Sequence, residues 1–141
     1  MSNSRKIVIS AAVVIIGAAI WLFYPSSDAD ISANGDEPMV AVKVPELTEV
    51  QQLGEADFNI FCADCHGVNA AGLSGAAPPL VHKIYEPSHH GDRSFYLAAK
   101  QGVRAHHWSF GDMLPVEGIE DEQIERIIVY IRALQRNNGI E

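Results

Sequence analysis

The chain has 141 residues, room for one small domain and a membrane anchor. Ten Lys and Arg against eighteen Asp and Glu give a net charge of −8, which argues against nucleic acid as a partner. Two cysteines are too few for a four-cysteine zinc site.

Arg5 and Lys6 precede the first element. Ile7 to Tyr24 is a run of eighteen residues without a charge. As a helix rising ~1.5 Å per residue it spans about 27 Å, close to a bilayer core. The basic pair before it and the acids after it predict a cytoplasmic N-terminus, with Trp21 and Tyr24 at the outer interface. A cleaved signal peptide is the competing reading. Ser27-Asp28-Ala29 is a poor cleavage site among acids, and the apolar run is longer than a usual signal core. Residues 1–24 are therefore read as an uncleaved anchor that places the remainder outside the cytoplasm, in the bacterial periplasm.

From Pro25 onward the chain holds all eighteen acids and eight of the bases. That balance suits solubility or docking on a basic redox partner. Residues 25–50, with Pro25, Ser26, Ser27, Asn34, Gly35 and Pro38, read as a flexible acidic tether. As a coil of ~26 residues it would span roughly 28 Å. Alternating Val40, Val42 and Val44 also admit an extended arm lying on the domain.

Residues 51–141 form the expected globular domain. Leu53, Gly54, Phe58 and Phe61 lead helically into Cys62, with Gly54 and Phe58 on one face. A Gly/Ala/Pro-rich loop runs over 67–79. Arg93 to Gln101, with Phe95, Tyr96, Leu97 and Ala98, predicts a helix capped by Gly102. A loop with His106, His107, Trp108 and Met113 follows. Ile124, Ile127, Ile128, Ile131 and Leu134 predict an amphipathic helix over Asp121–Asn137. Acids at its start and Arg132 and Arg136 near its end suit the helix dipole. The fold class is all-α, about three to four helices after a transmembrane helix.

Cys62-Ala63-Asp64-Cys65-His66 uses both cysteines and reads as a covalent haem attachment site. Thiols three apart share one face of a helical turn and can each form a thioether to one haem, with His66 in reach of the iron. A thioredoxin-like dithiol would need a strand–helix setting that the sequence lacks, and zinc would need further ligands. A structural disulfide lacks any use for the adjoining His66.

Helix, attachment motif, loop, downstream Met and C-terminal amphipathic helix together resemble class I cytochromes c over about Gln51 to Gly139. The run Ala105-His106-His107-Trp108-Ser109-Phe110-Gly111-Asp112-Met113 resembles a membrane-anchored bacterial monohaem subgroup. The resemblance implies one covalent haem c, held by Cys62 and Cys65. It implies that Gly54 lets the C-terminal helix cross closely, with Tyr130 packed there. It implies His66 and Met113 as axial iron ligands, although Leu114 separates Met113 from Pro115 where the family usually has Met-Pro. Pro78 and Leu80 match a Pro-x-Leu segment whose Pro carbonyl accepts from the ligand imidazole. Trp108 and Arg104 are candidate propionate contacts.

His106 or His107 could replace Met113 and lower the potential. His89, His90, His106 and His107 could instead hold copper or zinc, or simply pack in loops. The expected function is a single-electron carrier with no substrate chemistry of its own, meeting membrane respiratory complexes or periplasmic dehydrogenases and reductases. The rivals are a haem c subunit of a larger membrane oxidoreductase, or a ligand-binding or sensory haem protein.

Overall fold

The structure, a computed structural model, describes residues 37–141. The expected membrane helix Ile7–Tyr24 lies outside the described residues. Among those described, no helix is long and apolar enough to cross a membrane. Four α-helices follow in chain order: α1 Glu49–Phe61, the single turn α2 Ala63–His66, α3 Asp92–Gln101 and α4 Asp121–Asn137. Short 3-10 turns at Val68–Ala70 and Lys83–Tyr85 punctuate the loops. Among the described residues β-pairing is limited to isolated bridges.

The α1–α4 crossing is the frame of the domain. α4 buries Ile124, Ile127, Ile128, Tyr130, Ile131 and Leu134, as its apolar spacing predicts. α1 meets it with Gly54, Asp57 and Phe58. A Cβ at Gly54 would overlap the Arg126 carbonyl of α4, so only glycine allows this approach. Phe58 and Tyr130, both fully buried, pack with ring centroids 5.7 Å apart. Polar groups fix the register. The Arg126 Nε donates to Asp57 at 2.7 Å, and the Gln123 amide donates to the same carboxylate at 3.3 Å. The Gln123 side-chain oxygen also accepts from the Glu120 N–H at 2.9 Å, satisfying a donor at the start of α4.

Arg132, whose place near the end of α4 suits the helix dipole, is only 7 % exposed. Its guanidinium donates to Asp92 (2.8 Å), the Tyr85 carbonyl (2.8 Å), Gln135 (2.5 Å) and the His90 carbonyl (2.5 Å), and lies over the Phe95 ring. Gln135, fully buried beside it, donates to the Leu80 and Tyr85 carbonyls. One face of α4 thus holds segment 80–92, which has little secondary structure of its own.

The expectation of a flexible tether over 25–50 is corrected over 37–48. These residues form an extended arm fixed to the domain. Pro38 bridges Leu73, the Met39 and Val40 amides donate to Ala71, and Val42 and Leu47 pack on the core. Lys43 is clasped at the far end of α4: its amide donates to Asn138, and its carbonyl accepts from Asn137 and Asn138. Backbone bonding and apolar contacts offset the entropy that a free coil would retain.

Candidate functional site

Cys62 closes α1 and opens α2. Its amide donates to Phe58 at 2.8 Å, and its carbonyl accepts from Cys65 at 3.2 Å and His66 at 2.9 Å. The two cysteines therefore sit on one continuous turn, both as free thiols, with Cys62 half-buried and Cys65 exposed. Burial, and secondarily Cys65, pushes the Cys62 thiol up to about 12. Dithiol redox motifs need a lowered thiol pKa to supply a thiolate. Cys62 has the opposite bias, which counts against that reading.

His66 is held by its own loop. The His66 Nδ1–H donates to the Pro78 carbonyl at 2.9 Å. That tautomer leaves Nε2 with its lone pair free for a metal. Burial lowers the His66 pKa, and the bond to Pro78 works against this more weakly. Loop 67–79 makes the geometry possible. The Gly72 amide donates to the His66 carbonyl at 2.7 Å. Gly72 has φ +73°, and a Cβ there would lie 2.5 Å from the Pro79 nitrogen. Ala70 is held at φ 57°. Its carbonyl accepts from the Leu80 and Val81 amides. Asn69 accepts a hydrogen bond from the Tyr130 hydroxyl at 3.1 Å, tying the loop to α4. Leu80 is buried in the core immediately after Pro78 and Pro79.

Met113 is half-buried. Its backbone pairs with Val103 through two hydrogen bonds of 2.9 Å, N–H to carbonyl in each direction. Gly102, at φ +74°, lies against the Met113 carbonyl and would bring a Cβ to 3.1 Å from Pro115. Asp112 accepts from the Ala105 amide at 2.8 Å, adding a second tie across the loop. Leu114, the residue between Met113 and Pro115, is 80 % exposed.

Trp108 packs edge-on against His82, ring centroids 5.2 Å apart. Its indole Nε1 is buried and has no hydrogen-bond partner. Burial pushes the Tyr85 hydroxyl pKa up, and the nearby indole N–H works against this without completing a hydrogen bond of good geometry. Arg104 is exposed; its carbonyl accepts from His106.

One grouping was not legible as a site in the sequence. The Arg132–Gln135 pair orders the backbone that follows Leu80. The four loop histidines, read from the sequence either as a copper or zinc site or as loop packing, gather together: His89, His90 and His107 bring one nitrogen each within 4.8 Å of one another. Burial and the neighbouring His106, His90 and His89 lower the His107 pKa.

The residues fit a covalently held haem. They supply two free thiols on one turn, a neutral imidazole with a fixed tautomer, a half-buried thioether on a tied loop, and a buried indole donor that the chain itself leaves unpaired. A family model described as Cytochrome c matches residues 51–135. No curated protein matches the chain.

Proposed function

The chain belongs to the cytochrome c family, whose members transfer electrons through haem, and on that premise we propose that it is a membrane-anchored, monohaem single-electron carrier of the bacterial periplasm. The observation that carries the site assignment is the 2.9 Å bond from His66 Nδ1 to Pro78. It turns Nε2 into the ligand atom next to the two thiols. When bound, haem c supplies a reversible one-electron Fe(III)/Fe(II) couple.

In this reading Cys62 and Cys65 tether the group and His66 and Met113 are the axial ligands. Pro78 orients His66, and Leu80 supplies apolar packing. Trp108 Nε1 and Arg104 donate to the propionates. A thioether ligand favours the reduced state and raises the potential. Ile60 and Val68, each 69 % exposed, lie two and three residues outside the cysteine pair. They supply an apolar margin for a redox partner to approach, a membrane respiratory complex or a periplasmic dehydrogenase or reductase. Anchoring rests on the uncharged run Ile7–Tyr24.

The optical spectrum of the oxidised protein tests the ligands. A sulfur-to-iron charge-transfer band that is lost in Met113→Ala supports the carrier. High-spin iron that binds small ligands at neutral pH overturns it in favour of a sensory or catalytic haem protein. Covalent haem staining that persists in a Cys62→Ser/Cys65→Ser variant removes the attachment assignment. Isolation only as a stoichiometric membrane complex replaces the free carrier by an oxidoreductase subunit.

A further inference from the structure

We propose that His89, His90 and His107 form a second metal site, taking one divalent transition-metal ion such as Zn2+ or Cu2+ at the junction between the segment before α3 and the loop before Met113. None of these residues is needed to attach haem or to ligate its iron.

The spacing is that of ligands. His89 Nε2 and His107 Nε2 are 3.3 Å apart. Two nitrogens on a tetrahedral zinc ion, each bonded at about 2.0–2.1 Å, are separated by roughly 3.3–3.4 Å. A direct N–H···N hydrogen bond is the competing reading. It would be longer than the usual N–H···O range of about 2.7–3.2 Å and would leave the convergence of His90 without a role. All three ligand nitrogens lie within 4.8 Å of one another.

His90 is pre-set for coordination. Its Nδ1–H donates to the Ile84 carbonyl at 2.7 Å, which leaves Nε2 as a lone-pair donor. This is the outer bond that metal-ligating histidines ordinarily make. The His90 carbonyl is gripped in turn by the buried Arg132 guanidinium. His106 braces the cluster, its ring 4.3 Å from His107 and stacked 5.9 Å from His90. Its own Nδ1–H goes to the Arg104 carbonyl at 2.8 Å. His89 and His107 are exposed, so an ion has a path in from solvent. Three imidazoles leave one position of a four-coordinate ion for water. Imidazole nitrogen suits zinc, copper and nickel rather than calcium or magnesium.

The test is a calorimetric titration of the full-length, haem-loaded, tag-free protein with ZnCl2 at about pH 7.5, where most imidazole is neutral. One ion per chain is expected. His89→Ala and His107→Ala should each weaken binding at least about tenfold, as losing a ligand exceeds the usual cost of losing an outer partner. Both positions are exposed, so the haem spectrum and the metal-free unfolding temperature should not move. His82→Gln, outside the cluster, should bind as the parent does. With Cu2+ in place of zinc, paramagnetic resonance should show nitrogen couplings from three imidazoles in the parent and two in each single variant. The site is overturned by titration curves with no saturable single-ion step. It is equally overturned by parental affinity in the His89→Ala/His107→Ala double variant. Neither readout depends on which residues ligate the haem, so failure here leaves the carrier assignment standing.

Discussion

Gly54 lies so close to α4 that a Cβ at that position would overlap the Arg126 carbonyl and come within 3.0 Å of the Tyr130 Cβ. The obstacle is helix backbone, which cannot swing aside as a side chain can. Separating the helices would draw Phe58 from Tyr130 and Asp57 from Arg126. Gly54→Ala should therefore destabilise the domain by about 1–3 kcal/mol or more, against the ~1 kcal/mol that alanine gains in an isolated helix. Urea unfolding measures the balance. A midpoint at or above the parent's would show that the crossing opens at little cost.

Arg132 and Asp92 form an ion pair whose two ends differ greatly in exposure, 8 % and 69 % by side chain. Asp92→Asn leaves a solvated position and should cost within about 1 kcal/mol. Arg132→Ala strips donors from the Tyr85 and His90 carbonyls and from Gln135, and should cost about 3 kcal/mol or more. Equal effects in thermal unfolding would mean that the ion pair, not the carbonyl clamp, is what matters.

Trp108→Phe keeps an aromatic ring against His82 but removes the unpaired Nε1 together with part of the indole's bulk. No hydrogen bond within the chain is lost, so the stability cost should be that of the lost packing alone, on the order of 1 kcal/mol. If the indole donates to a haem propionate, the variant leaves that carboxylate more negative, stabilises the ferric state and lowers the reduction potential. A spectroelectrochemical titration showing an unchanged potential would take Trp108 out of the site.

Acid dependence has an assignable component in Asp121, paired with Lys100 at 2.7 Å. The Lys100 ammonium, then the Tyr96 hydroxyl, holds its carboxyl below the ordinary 3.8. The unfolded chain thus takes up this proton first as pH falls. The stabilisation is complete above the ordinary value and vanishes as pH drops through the lower folded value. Asp121→Asn should unfold at a slightly lower temperature than the parent near neutrality, and the gap should close below pH 3.8. A gap that widens in acid would reverse the assignment.

The Lys43 amide donates to Asn138 at 2.9 Å across 95 positions of sequence. In Asn138→Ala that amide loses its acceptor. Its hydrogen exchange should accelerate by about fivefold, in keeping with ~1 kcal/mol per hydrogen bond, while amides inside α1 change little. Unchanged exchange at Lys43 would show that the arm is held without the Asn138 clasp.

Much of this was readable from residue order where the physics is local. The isoleucine spacing of α4 follows helical periodicity, and the cysteine pair with its histidine needs only one turn. The burial of Arg132 was not readable because pattern alone cannot tell a buried cation from an exposed one near a helix end. What decides it is three acceptors brought together by segments 40 or more residues away. The arm was legible only as an alternative, through the alternation of Val40, Val42 and Val44. Residues 37–48 have a loop-like composition, and what fixes them is backbone bonding to Ala71 and to Asn138. His89 and His107 are eighteen apart in irregular segments, so no periodicity could announce that their ring nitrogens meet.

The paired backbones of Val103 and Met113 turn the intervening residues into a closed ring, with the thioether at its clasp and His106 to Phe110 at its far side. Motion at the far side is therefore uncoupled from the position of the sulfur. Substitutions there can alter what the loop touches while Met113 stays where Val103 holds it. An ion gripping His107 would act on the free side of the ring, stiffening the loop and leaving its clasp in place.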